Sequence, residues 1–330
     1  TGVQTCALPI LRLETLIDLA RSRKVALPSE SPEGLEELVF KRSYKSLVEY
    51  LEGFRYTTAV LQDPEALERA AYELALDNQA EGVRYIEVRF APQLHVHEGL
   101  DLGEVLLAVN RGLDRAKREF NSQERIRTGQ EPPFAYGLIL CALRFFTAAF
   151  SRVYQHFCSA HRYSDRFRVY ALASLELARA ATAIRREHPE LPLVGFDLAG
   201  QERGYPGKDH WEAYQHAHEN FLCKTVHAGE AYGPESIFQA ITDLHADRIG
   251  HGTWLFDTQK VLNPHTAELW RSGARPSTLL PVGRFEVRLR PGLALASGTV
   301  DCARGRIEIT VSGSTARLEV LRALVRAGRA

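Results

Sequence analysis

The chain has 330 residues, with 41 Lys and Arg balancing 41 Asp and Glu, 45% hydrophobic and 25% charged residues, and no Met. A zero net charge gives no electrostatic footprint for nucleic acid and no polybasic membrane anchor, so no nucleic acid and no membrane are expected as partners. The five Cys residues, at 6, 141, 158, 223 and 302, are odd in number and contain no CxxC, which argues against a disulfide framework or a cysteine zinc site and for a cytoplasmic location.

Charge is unevenly distributed. Residues 261–330 carry 11 Arg and no Lys against 5 acidic residues, whereas residues 1–260 carry 30 bases against 36 acids. No apolar run reaches the roughly 18 residues that span a bilayer. A chain that starts at Thr1 without any Met is expected to be a fragment.

Residues 11–24 (LRLETLIDLARSRK) repeat apolar side chains at helical spacing, and Ser31-Pro32-Glu33 supplies an N-cap, a first-turn proline and an acid for a second helix. A long helix is predicted over 64–81, ended by Gly82. Residues 83–90 (VRYIEVRF) read as a strand, 102–120 as a helix, 136–143 (YGLILCAL) as a buried strand and 165–186 as a helix. The pattern continues with strand 193–197, helix 209–221, strand 223–227, helix 234–245 and a short strand at 248–250.

This strand–helix alternation specifies an α/β fold with a parallel sheet. No G-x-G-x-x-G or P-loop follows a strand, which favours a TIM (β/α)8-type barrel over an open nucleotide-binding sheet. The alternation is lost over 271–291, where Pro276, Pro281 and Pro291 occur. It resumes with a strand-like 306–311 and an amphipathic 316–327.

Chemistry in such a barrel belongs where strands end. The polar residues at those ends are Arg89, Arg144, Asp197 with Gly200, His227 with Glu230, and His251. In THR-VAL-HIS-ALA-GLY-GLU at 225–230 an imidazole is followed by two small residues and a carboxylate, and 21 residues later Gly250-His251-Gly252 places another strand-end imidazole. Imidazole can bind a metal and a carboxylate can move protons. Asp197 reads equally as part of that site or as a cap for the next loop. His95-Val96-His97 is an H-x-H, read as ordinary loop histidines; His161, His210, His216, His218 and His245 lie in or beside helical patterns and read as surface residues.

TVHAGE, followed by RIGHG and preceded by VGFDLAGQE, resembles the adenosine deaminase family of zinc amidohydrolases, as do VRYIEVRFAPQL at 83–94 and GLILCALR at 137–144. The resemblance covers roughly residues 11–257. It implies hydrolytic deamination of adenosine and 2′-deoxyadenosine on a TIM-type barrel carrying one Zn2+, with a purine nucleoside as partner. His227 would be a zinc ligand, Glu230 the acid that protonates the purine ring, His251 the imidazole that orients and deprotonates water, and Gly200 a backbone contact to the purine.

Other ligands of the family's zinc, an H-x-H before the first helix and an Asp-Asp pair on a late strand, have no counterpart in the ends of this chain. Residues 1–10 (TGVQTCALPI) hold no His and back-translate to something like a sequencing-adapter oligonucleotide, and the sole Asp of 261–330 is Asp301. The expected organisation is a non-native segment 1–10, a deaminase barrel 11–260 and an aberrant or divergent segment 261–330. The barrel is expected to be incomplete, its first and late strands missing or replaced, so that this chain is inactive. Deamination of adenine, AMP or a related 6-aminopurine is the alternative activity.

Overall fold

A computed structural model describes residues 11–41, 43–254, 283–287, 295–301 and 306–312. The chain divides into two compact units, Thr1–Tyr232 with Ser236–Gly252, and Gly233–Glu235 with Thr253–Ala330.

The first unit holds a sheet of five parallel strands, β1 (Tyr85–Phe90), β2 (Ala135–Leu143), β3 (Leu193–Ala199), β4 (Cys223–Ala228) and β5 (Arg248–His251), in that spatial order. Helices Leu102–Asn121, Arg166–Glu187, Trp211–Glu219 and Pro234–Thr242 lie in the successive crossovers, so neighbouring strands are also consecutive ones. This is the connectivity of a parallel barrel, here five strands of an incomplete one, as the alternation predicts. Arg248 of β5 reaches Glu87 of β1 at 2.5 Å, an ion pair between the two edge strands that shows how strongly the sheet curls.

Local chemistry explains the helix limits. Ser31, Asp63, Asp101 and Asp165 each accept a backbone N–H from the first turn of the following helix, and Asp101 with Glu104 forms a reciprocal capping box. Gly82, at φ +84°, ends Pro64–Ala80 in the left-handed region that glycine enters at least cost. That helix and Leu102–Asn121 approach so closely at Gly112 that an added Cβ would stand 2.1 Å from the Glu68 carbonyl.

Helices Leu47–Glu52, Phe54–Val60 and Glu124–Arg127 are too short to display a helical period, and Arg152–Ala160, no shorter than Trp211–Glu219, is a further helix the periodicity reading does not include. In the second unit, β6 (Gly283–Val287), β7 (Leu295–Asp301) and β8 (Arg306–Ser312) form an antiparallel sheet in the order 6-7-8. Strand β8 matches the expectation for 306–311, while β6 falls where irregular chain was expected. Antiparallel pairing with β7 over five residue pairs stabilises it despite its prolines nearby in sequence. The expected helix at 316–327 and the segment 1–10 lie outside the described residues. No described helix is long and apolar enough to cross a membrane.

Candidate active site

The site lies at the C-terminal ends of β1 to β5. Parallel pairing between β3 and β4 covers only Gly195 with Cys223 and Phe196 with Lys224. Beyond it the strands are joined through side chains. Asp197, fully buried, places Oδ2 2.8 Å from Nδ1 of His227 and 3.2 Å from Nε of Arg89, and accepts from the Cys141 thiol at 3.4 Å. Burial by itself would raise the Asp197 carboxyl; the positive field of His227 and Arg89 and the hydrogen bonds to His227 and Cys141 overcome it and hold the group below the usual carboxylate range. Of the two readings left open by the sequence, the structure places Asp197 in the site, as the group that orients the His227 ring.

Glu230 and His251 meet at the rim. The Oε2 of Glu230 is 3.6 Å from Nε2 of His251, and the rings of His251 and His227 stand 5.2 Å apart. His251 adopts φ +69°, a left-handed backbone that a non-glycine residue enters only at some cost. It ends β5 there and brings the imidazole to Glu230. Gly229 at φ +71° and Gly252 at φ +67° make the two adjoining turns, joined by the Gly252 N–H donating to the Ala228 carbonyl at 2.9 Å. Gly200, at φ +100°, closes the end of β3; conformation is what calls for glycine, since an added Cβ would meet nothing closer than 3.8 Å.

Gly200, His227 and Glu230 share the lining of a cavity of about 850 Å³, which is otherwise largely apolar and includes Phe54, Leu61, Phe145 and Phe150. That volume suits a small heterocyclic ligand. The four residues expected to carry the site, Gly200, His227, Glu230 and His251, are thus brought to one end of the sheet.

His95 and His97 behave as loop histidines. His95 follows a short 3-10 turn, is buried, and pairs through Nδ1 with the Leu61 carbonyl at 2.7 Å; His97 pairs through Nε2 with the Gln62 carbonyl at 2.9 Å while its Nδ1 accepts the Gly99 N–H. Burial lowers His95 to about 4. The surface reading of His210 is corrected. It precedes helix Trp211–Glu219, faces helix Arg166–Glu187, is 2% exposed and pairs with the Ser174 hydroxyl at 2.8 Å; burial and then the Arg144 charge lower it to about 3. His216 is half-buried against Thr182, 3.0 Å away, and His161 is half-buried, whereas His218 and His245 are exposed.

Two contributors had not been singled out. Cys141 faces Asp197 because β2 and β3 pair them directly. Glu202, two residues beyond Gly200 and 2% exposed, accepts the backbone N–H of Gly229 at 3.1 Å and of Glu230 at 2.8 Å. The signal for it was its place in the DLAGQE string, but a carboxylate in a loop gives no sign of what it will bond.

A catalytic zinc takes three or more protein ligands. Among the described residues no three His, Cys, Asp or Glu side chains come together as a metal-binding group. His227 is oriented as a ligand would be, yet the described set by itself does not fit the ion.

Similarity to known proteins identifies the family. The sequence model of the adenosine deaminase family matches residues 10–177 and 166–268. Adenosine deaminase of Mycobacterium marinum is 34% identical over 313 residues, covering 92% of this chain and 75% of that protein. Adenosine deaminase 1 of Streptomyces coelicolor is 33% identical over 294 residues, covering 88% and 64%. Among solved structures, an adenine deaminase from Arthrobacter aurescens superposes with a TM-score of 0.55 at 23% identity, covering 77% of this chain and 65% of that one. A zinc-bound amidohydrolase from Burkholderia ambifaria also superposes at 0.55, with 20% identity and coverage of 81% and 60%. At these identities the structures speak for the fold alone, a parallel barrel of which the described residues of this chain form five strands. The matched extent and the sequence relatives together establish that the chain belongs to the adenosine deaminase family.

Proposed function

We propose that this site performs hydrolytic deamination of adenosine and 2′-deoxyadenosine. One observation carries the reading: a carboxylic acid and an imidazole, Glu230 and His251, stand 3.6 Å apart beside Gly200, at the strand ends of a parallel sheet. The Glu230 carboxyl donates a proton to the purine ring nitrogen adjacent to the amino-bearing carbon, which makes that carbon electrophilic. His251 takes one proton of the water as its oxygen bonds to that carbon and returns it to the amino group, the Glu230 carboxylate takes the remaining hydroxyl proton, and the C–N bond breaks to release ammonia. The backbone at Gly200 contacts the purine edge, and the apolar lining receives its faces.

Zinc belongs to this reading as the metal that His227 would ligate, held in orientation by Asp197. The purine nucleoside is the partner, and cysteines held as thiols, such as Cys158 and Cys223, suit a reducing, cytoplasmic setting. A second reading is favoured by the described donor set: a chain that binds the purine without turning it over.

Ammonia release from adenosine, deoxyadenosine, adenine and AMP, measured with zinc analysis of the purified 330-residue chain, tests both. Turnover preferring the nucleosides, with one zinc per chain, supports the deaminase reading. Purine binding with neither zinc nor ammonia supports the second, and failure to bind any 6-aminopurine overturns both.

A further inference from the structure

The turn that carries Glu230 is held from below by two buried charges. Glu202 is bidentate to successive amides, Oε2 accepting from Gly229 N–H at 3.1 Å and Oε1 from Glu230 N–H at 2.8 Å. Arg144, 1% exposed, donates through Nη2 to the His227 carbonyl at 2.8 Å and through Nη1 to the Tyr205 carbonyl at 2.8 Å. The Tyr205 N–H in turn donates to the Glu202 carbonyl at 3.1 Å, which closes the ring of contacts. Burial lowers the Arg144 guanidinium, and the Glu202 charge is the largest influence that restores it.

Three of four consecutive residues, His227, Gly229 and Glu230, therefore have their backbone groups committed to this pair of side chains. The commitment matters because the turn itself is pliable: Gly229 sits at φ +71° and contributes no side chain of its own. Two converging N–H groups left without an acceptor in a buried turn would also be costly.

We infer that Glu202, backed by Arg144, is a positioning residue that sets the Gly229–Glu230 turn and so aims the Glu230 carboxyl relative to His227. This rests on the reading of Glu230 as the proton donor. Glu202 touches no reacting atom; it acts through the backbone of the residue that does. Glutamine in its place can accept only one of the two amides, because its –NH2 meets the other donor with a donor.

Amide hydrogen exchange on the full chain tests the inference without relying on a variant. The Gly229 and Glu230 amides are expected to exchange as slowly as those within β4; exchange at the rate of an unprotected loop would overturn it. In Glu202→Gln these two amides should exchange roughly ten-fold faster or more, with β1 to β3 unchanged. No change at the turn, or an equal acceleration in every strand, would also overturn it.

Adenosine turnover of the same variant should show kcat lowered by roughly a hundred-fold with KM within a few-fold. Equal loss through KM alone would mark a ground-state binding role and count against positioning. A wild-type chain without turnover would defeat the deaminase reading, while the exchange result still judges the bracket on the turn.

Discussion

Asp197 and Glu230 are two carboxylates on neighbouring strand ends, each beside a histidine, and their surroundings are opposite. Asp197 is fully buried with Arg89, Cys141 and His227 around one oxygen; Glu230 is partly open, with His251 at 3.6 Å, on a turn held through its backbone by Glu202. The first arrangement spends charge on holding strands together where their backbone pairing has ended. The second leaves a carboxyl accessible to a ligand. One cavity thus has a structural floor and a chemical rim, and the two should separate under perturbation.

The largest stability effect of any single substitution is expected at the floor. Asp197→Asn leaves Arg89 buried beside a neutral partner and should cost about 3 to 5 kcal/mol in urea unfolding. A cost within experimental error would mean that the floor does not hold the strands. Acid should come next. Folding keeps His95 near 4 and His210 near 3 against 6.5, so the unfolded chain takes up their protons first as pH falls. Their neutral pairing is fully in place above pH 6.5, and stability is lost as pH drops through that value toward 4, by about 3 kcal/mol for His95 alone. Denaturation at pH values spanning this window measures the slope, and His95→Gln should remove about half of it, His210 keeping the rest.

Gly229→Ala is expected to cost about 1 to 3 kcal/mol, since its Cβ would stand 2.5 Å from Ile237 Cδ1 and its φ is +71°. The smallest stability effect belongs to the rim. Glu230→Gln should change unfolding by under about 0.5 kcal/mol, yet under the deaminase reading it should lower adenosine turnover by about 10²- to 10⁴-fold. A large stability loss in that variant would erase the distinction between floor and rim.

Much of this was legible before any coordinates. Alternation located all five parallel strands because each is an apolar or β-branched run between helical periods, and caps such as Asp63 and Asp101 are local chemistry. The candidate residues His227, Glu230 and His251 stand out because strand ends carry chemistry in such a sheet and they are polar among apolar neighbours. Short helices such as Phe54–Val60 were not, for they are stabilised by packing, as at buried Val60, rather than by their own periodicity. His210 was misread because a histidine beside a helix has the same local appearance whether it faces solvent or, as here, Ser174.

By itself the sequence determined the α/β alternation and the family, and it nominated Gly200, His227, Glu230 and His251 as candidates. Tertiary structure alone decided that Asp197 orients His227 rather than capping a loop, that Glu202 holds the Glu230 turn, and that a left-handed backbone at His251 completes the rim. The reason is the range of the interactions: helical period and capping act within a few residues, whereas Glu202 bonds a turn 28 residues away and Asp197 pairs with strands far from it in sequence, contacts that exist only once the sheet has curled.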